Sequence, residues 1–291
     1  MIKGWRVAFE NELQALLTEV ICRVKVWTGR EAWQFEPASP ASFEVSNREK
    51  RLDGTPWGER PIRTVYQYAQ MATKFAAEMS QCVADLLAPD RPPPGLETLT
   101  RGALESASVA YWLLVEGLTA RQRVCRMQLL RRNSARELNK SMLEVGADPA
   151  LAGRETIPSI EAECRALGLA PFTHDNELEG EKRLGYTGRV KLLTDEWGFK
   201  GAYNIYSGVA HAELTGIWRL FQQTASTAPG EVPIFHPGPD HNATFAAVHG
   251  ALISMIAPME KIALLFGWRV RGEEIGATID YINCAMARLR P

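Results

Sequence analysis

Leu96-Glu-Thr-Leu-Thr-Arg101-Gly-Ala-Leu-Glu105-Ser-Ala-Ser-Val-Ala110-Tyr-Trp-Leu-Leu-Val115 is the most apolar helical stretch of the chain. Its apolar residues run nearly all round a helical wheel, so it should be enclosed by other elements rather than lie on a surface. Gly117 and Thr119 mark its end, and Thr119 is well suited to cap the next helix.

Working outward, helical spacing recurs on both sides. Phe9 to Trp27 carries Leu13, Leu16, Leu17, Val20, Ile21 and Val24 on one face. Pro61 to Leu87 reads as a helix with proline in its first turn. Arg91-Pro-Pro-Pro-Gly95 is a stiff connector too short to separate domains. A helix from Arg121 to Val145 is followed by a shorter one after Pro158 and a weakly helical Tyr186 to Trp197. Phe245 to Trp268, with a break or kink at Pro258, and Ile275 to Leu289 complete the set. No segment alternates with period two, so strands are not expected. The reading is an all-α protein of roughly eight helices, with 1–60 as an N-terminal helix and a long loop packing on the body and 61–291 as the bundle core. The 29–61 segment is punctuated by Pro37, Pro40, Gly54, Pro56 and Gly58. Its aromatic residues (Trp33, Phe35, Phe43, Trp57) should hold it against the bundle. Thr224 to Asn242 is a second Pro/Gly-rich loop.

With 291 residues, 46% of them hydrophobic, the chain can bury a core without staples. A net charge of −1 excludes whole-molecule attraction to nucleic acid or anionic membrane. Five scattered cysteines without a CxxC read as small buried hydrophobes in a reducing compartment. The first residues lack a signal-like apolar run, and Ala251 to Trp268 is short and interrupted by Pro258, Glu260 and Lys261. A soluble cytoplasmic protein, away from membranes, is expected.

The candidate site lies in Lys200-Gly-Ala-Tyr-Asn-Ile-Tyr-Ser-Gly-Val-Ala-His-Ala-Glu213. As a helix continuing through Ile217, Trp218 and Phe221, it stacks Tyr203, Ser207 and His211 on one stripe with Asn204 beside it. Four polar groups on one apolar helix need partners or water, which points to a pocket between helices. Histidine suits proton transfer near neutral pH. Arg101 and Glu105, four apart, should pair as an ion pair. Alternatively Glu105 faces His211 and orients its imidazole or raises its pKa. The candidate catalytic set is thus His211, Glu105, Ser207 and Tyr203. Asn204, Arg101, Arg132 and Arg136 are candidate ligand contacts, the last two on the basic helix, where nucleic acid or a phosphate could bind. His236, Asp240, His241 and His249 match no tight metal motif, and no cofactor fingerprint occurs.

Two stretches together carry a resemblance: Arg101 to Leu114 with Arg121-Gln-Arg-Val-Cys-Arg126, and Tyr203-Asn-Ile-Tyr-Ser-Gly-Val-Ala-His211. Over about 61–270 the chain is similar to uncharacterised actinobacterial helical proteins that resemble the HEPN superfamily. The resemblance implies a helical bundle, a homodimer and RNA or nucleotide binding. In HEPN ribonucleases an arginine precedes the motif histidine by four to six intervening residues. Here His211 would be that histidine, but Asn204, Ile205 and Tyr206 stand where the arginine belongs. The departure argues against nuclease activity. Two other readings remain open: a small-molecule enzyme of bacterial specialised metabolism using His211 as acid/base, and a non-catalytic interaction module.

Overall fold

A computed structural model describes residues 2–29, 34–46, 49–87, 95–146, 156–173, 177–211, 221–223, 235–237 and 241–290. The protein is an all-α bundle. Its described helices are α1 (Ile2–Trp27), α2 (Pro40–Val45), α3 (Arg60–Leu86), α4 (Leu96–Leu114), α5 (Ala120–Glu144), α6 (Ile157–Ala166), α7 (Tyr186–Glu196), α8 (Ala202–Ala210), α9 (His241–Phe266) and α10 (Arg269–Leu289). Of the ten described helices the one not expected is α2, into which the loop after α1 folds.

The apolar helix α4 is central, as its composition requires. It packs on α3 and α9 along its length, and on α5, α7 and α8. Leu104, Ala107, Ala110, Tyr111, Trp112, Leu113 and Leu114 are all buried. Gly250 permits the close approach of α9. A methyl group there would lie 2.7 Å from Thr100 Cγ2 and 3.3 Å from the Phe199 ring. Thr100 Oγ1 donates to the Ala247 carbonyl across the same seam at 3.1 Å. Thr119 caps α5 with a reciprocal pair: its hydroxyl accepts from Gln122 N, and its own N–H donates to Gln122 Oε1.

On the other side α1 buries Leu13, Leu17, Val20, Ile21 and Val24 against α3, α9 and α10, in the same core as the rest of the bundle. The arm after α1 is anchored at several points. Trp57 is buried and donates through Nε1 to the Leu167 carbonyl at 2.8 Å. Glu44 of α2 accepts from Arg123 and from the Tyr66 hydroxyl. Phe35 stacks edge-on against Phe266. Phe43, expected to pack, is exposed instead, since α2 turns its Ala41 and Val45 inward.

Several expectations need correction. Two short antiparallel hairpins occur where none was expected: β1 (Glu177–Leu178) with β2 (Glu181–Lys182), and β3 (Phe221–Gln223) with β4 (Phe235–Pro237). At two or three residues each, they are below the length at which alternation can be read. Phe221 is therefore in a strand, and α8 ends at Ala210 rather than running on. Ile217, Trp218, Trp33 and the Arg91–Pro94 part of the connector lie outside the described residues. Helices α9 and α10 begin earlier than expected, at His241 and Arg269. At 26 residues α9 is long and apolar enough to cross a membrane by length and composition, yet 83% of its most apolar window is buried inside the bundle. Only Cys125 and Cys164 are buried, their thiols pushed up to about 12 by burial; Cys22, Cys82 and Cys284 are exposed on helix surfaces.

Candidate functional site

Helix α4 presents Arg101 and Glu105 one turn apart, and the expected ion pair forms, Arg101 Nε donating to Glu105 Oε1 at 2.7 Å. Helix α8 brings Tyr203 to the same carboxylate oxygen, its hydroxyl donating at 2.7 Å. The Arg101 guanidinium also stands 5.8 Å over the Tyr203 ring. At the end of α8 His211 is the C-cap, its N–H donating to the Ser207 carbonyl at 2.9 Å. That position swings the imidazole to Arg101, with Nη1 3.0 Å from Nε2. A guanidinium only donates, so Nε2 accepts and the ring proton sits on Nδ1.

Four of the residues singled out in the sequence, Arg101, Glu105, Tyr203 and His211, therefore form one cluster. Its connectivity differs from the alternative reading: His211 meets the guanidinium of Arg101, not the Glu105 carboxylate. The reason is geometric. Glu105 Oε1 is already taken by Arg101 and Tyr203, and His211 sits at a helix end facing outward. Ser207 is half-buried, Asn204 is exposed, and neither side chain joins the cluster. Because α8 stops at Ala210, the continuous four-residue stripe does not extend through His211.

The cluster is graded from floor to rim. Leu104, Ala107, Tyr111, Val190, Leu193, Tyr206, Ile253 and Ala257 form an apolar floor. Tyr203 is nearly buried, Arg101 and Glu105 are about one-fifth exposed, and His211 is exposed. Burial works against the charge on Arg101, but the hydrogen bond and charge of Glu105 more than offset it, so its pKa lies above the ordinary arginine value. Burial and then the Glu105 carboxylate push the Tyr203 hydroxyl up, keeping it a neutral donor.

Sequence reasoning missed a second group beside this cluster. Arg189 of α7 is only 3% exposed. Its Nη1 donates to the Leu184 carbonyl at 2.6 Å and its guanidinium lies 5.0 Å over the Tyr186 ring, while its buried Nε has no partner. Burial lowers its pKa. Tyr186, Glu105 and Tyr203 oppose that shift through their charge, and Arg183 adds to it. Arg183 likewise holds a buried Nε without a partner. A signal was present in the sequence: Arg189 falls on the α7 stripe with Val190 and Leu193, a core position occupied by a charge.

The basic helix α5 is arranged differently. Arg121 pairs with Glu179 and Glu49, Arg123 with Glu44, Arg126 with Glu181, Arg131 with Glu163 and Arg132 with Glu161. Arg132 also stacks on Phe172 at 4.6 Å. Arg136 is exposed further along.

The histidines considered for metal are in aromatic surroundings where they are described. His241 meets Phe9 edge-on at 5.5 Å, and His249 meets Phe199 at 4.8 Å. Burial lowers the pKa of His249. His236 lies in β4, and Asp240 is outside the described residues. Among the described residues no group of three or more His, Cys, Asp or Glu could hold a metal ion.

Comparison with known proteins gives no match to a family model, to a curated protein or to a solved structure.

Proposed function

We propose that this protein binds a phosphate-bearing ligand of the nucleotide class at the junction of α4 and α8, with Arg101 and His211 as the groups that touch it. The observation that carries this reading is the 3.0 Å approach of Arg101 Nη1 to His211 Nε2 at the exposed rim of the cluster. A fixed guanidinium beside an imidazole is a donor pair matched to phosphate oxygens. Glu105 and Tyr203 are the positioning residues. Glu105 holds Arg101 through Nε and is itself held by the Tyr203 hydroxyl; Arg101 donates one Nη1 proton to His211 Nε2, which leaves its other Nη protons and the His211 Nδ1–H for the ligand. The resemblance to HEPN proteins supports the same ligand class and adds a homodimer. Arg101 supplies from α4 a guanidinium that the 204–206 segment lacks.

The test is calorimetric titration with adenosine 5′-monophosphate and with a short RNA. Arg101→Ala and His211→Ala should each weaken nucleotide binding by about tenfold or more, the scale of one charge-assisted hydrogen bond. Wild-type protein that binds neither ligand, or binding indifferent to both substitutions, would sink the reading. Tighter binding of the RNA than of the mononucleotide would make RNA the ligand.

A further inference from the structure

The N-terminus of α7 sits beside the Arg101 cluster and is incomplete as built. Gly185 precedes the helix with no side-chain cap hydrogen bond, so the first-turn N–H groups lack the usual oxygen partner. Open space lies in front of Gly185, where a Cβ atom would meet nothing within 4 Å. Two guanidinium groups flank this end. Arg189 folds back onto it, bonded to the Leu184 carbonyl and stacked on Tyr186, and it is nine-tenths or more buried. Arg183 lies just ahead of the helix. Each holds a buried Nε–H with no partner, and neither forms an ion pair among the described residues.

A buried donor without an acceptor is costly, and a buried cation without a counter-charge more so. One such cation, Arg189, with the half-buried Arg183 close to it, at the positive end of a helix dipole describes a site for an anion. The charge sets its class. Two guanidinium groups without an ion-paired carboxylate can take about two negative charges, which a phosphate monoester carries near neutral pH and an internal phosphodiester does not. Tyr186, exposed at 54%, marks the open edge.

We infer that the N-terminus of α7, with Arg183 and Arg189, binds the terminal phosphate of a phosphomonoester. The inference rests on the reading of Arg101 and His211 as ligand contacts and extends it: the free oxygens of the terminal phosphate go to α7, and the ester side of that phosphate, with the rest of the ligand, meets Arg101 and His211. Glu105 and Tyr203 lie within electrostatic reach of Arg189.

Three probes separate the two statements: inorganic phosphate, adenosine 5′-monophosphate and its 3′,5′-cyclic diester, titrated into the full chain. Inorganic phosphate and the monoester should bind, and the cyclic diester should bind about tenfold or more weaker than the monoester. Arg183→Gln and Arg189→Gln should each weaken inorganic phosphate by about tenfold. His211→Ala should leave inorganic phosphate unchanged while weakening the monoester. Phosphate that fails to bind wild-type protein at millimolar concentration, phosphate binding equal in both arginine variants and wild type, or a diester that binds as well as the monoester overturns the subsite. A His211→Ala variant that binds both monoester and phosphate normally leaves the subsite standing and removes the role of His211. Should Arg189→Gln fail to fold, the half-buried Arg183→Gln carries the test alone.

Discussion

Helix α5 and the α7 end both bury arginines, but they treat the charge in opposite ways. On α5 five guanidinium groups each meet a carboxylate from another part of the chain. At α7 Arg183 and Arg189 have none among the described residues, and each keeps a buried Nε–H unpaired. A cation buried with its counter-ion is part of the architecture. A cation buried without one, next to an open helix terminus, is set for something that is not part of the chain. The composition of the two regions gives the reverse impression, since α5 is conspicuously basic and α7 is not.

The largest effect expected from this contrast is on α5. Arg123 is 2% exposed, and Glu44 is its counter-ion as well as the acceptor of the Tyr66 hydroxyl. Glu44→Ala leaves a buried guanidinium unpaired and frees the α2 arm. It should cost about 3–5 kcal/mol in urea unfolding. Without phosphate, Arg183→Gln should cost almost nothing, because it removes a charge that no carboxylate balances. Equal losses of stability in the two variants would erase the distinction between the regions.

The second effect is the converse. Phosphate at about 100 times its dissociation constant should stabilise the wild type by about 2.7 kcal/mol, while Arg183→Gln gains far less. Unfolding midpoints with and without phosphate read this directly. Smaller again is Tyr203→Phe, which removes one hydrogen bond to Glu105 and should cost about 1 kcal/mol, with weaker nucleotide binding if Tyr203 positions the Arg101–Glu105 pair.

What could be read in advance followed sequence distance. The centrality of α4 was legible because its apolar surface has no polar face. The Arg101–Glu105 pair was legible because helix geometry alone brings i and i+4 together. The pairs of α5 were not legible. Arg121 finds Glu179, Arg123 finds Glu44 and Arg132 finds Glu161 only after the chain has folded, so the helix reads as an exposed basic face. Tyr203 meeting Glu105 across 98 positions is of the same kind. The end of α8 at Ala210 was missed for another reason. The small residues Gly208, Ala210 and Ala212 look like a packing stripe, and nothing in them marks His211 as a cap. Arg189 was the most legible of the missed residues, a charge on the apolar stripe of its own helix.

The smallest expected effect is also the one that decides whether α5 is architecture alone. If α5 bound nucleic acid through its arginines, removing one arginine–phosphate pair would lower the slope of log affinity against log salt by about 1. Arg132 is already committed to Glu161 and to the Phe172 ring. To reach a phosphate it would have to abandon both. Arg132→Ala and Arg136→Ala should therefore leave nucleotide affinity and its salt slope unchanged, and together cost no more than about 1 kcal/mol of stability, the range of exposed and partly exposed ion pairs. Arg101→Ala should reduce the same slope. A slope that falls with the α5 substitutions and not with Arg101 would move the ligand from the α4–α8 junction to the basic helix, and the ion pairs of α5 would then be interactions that the ligand displaces.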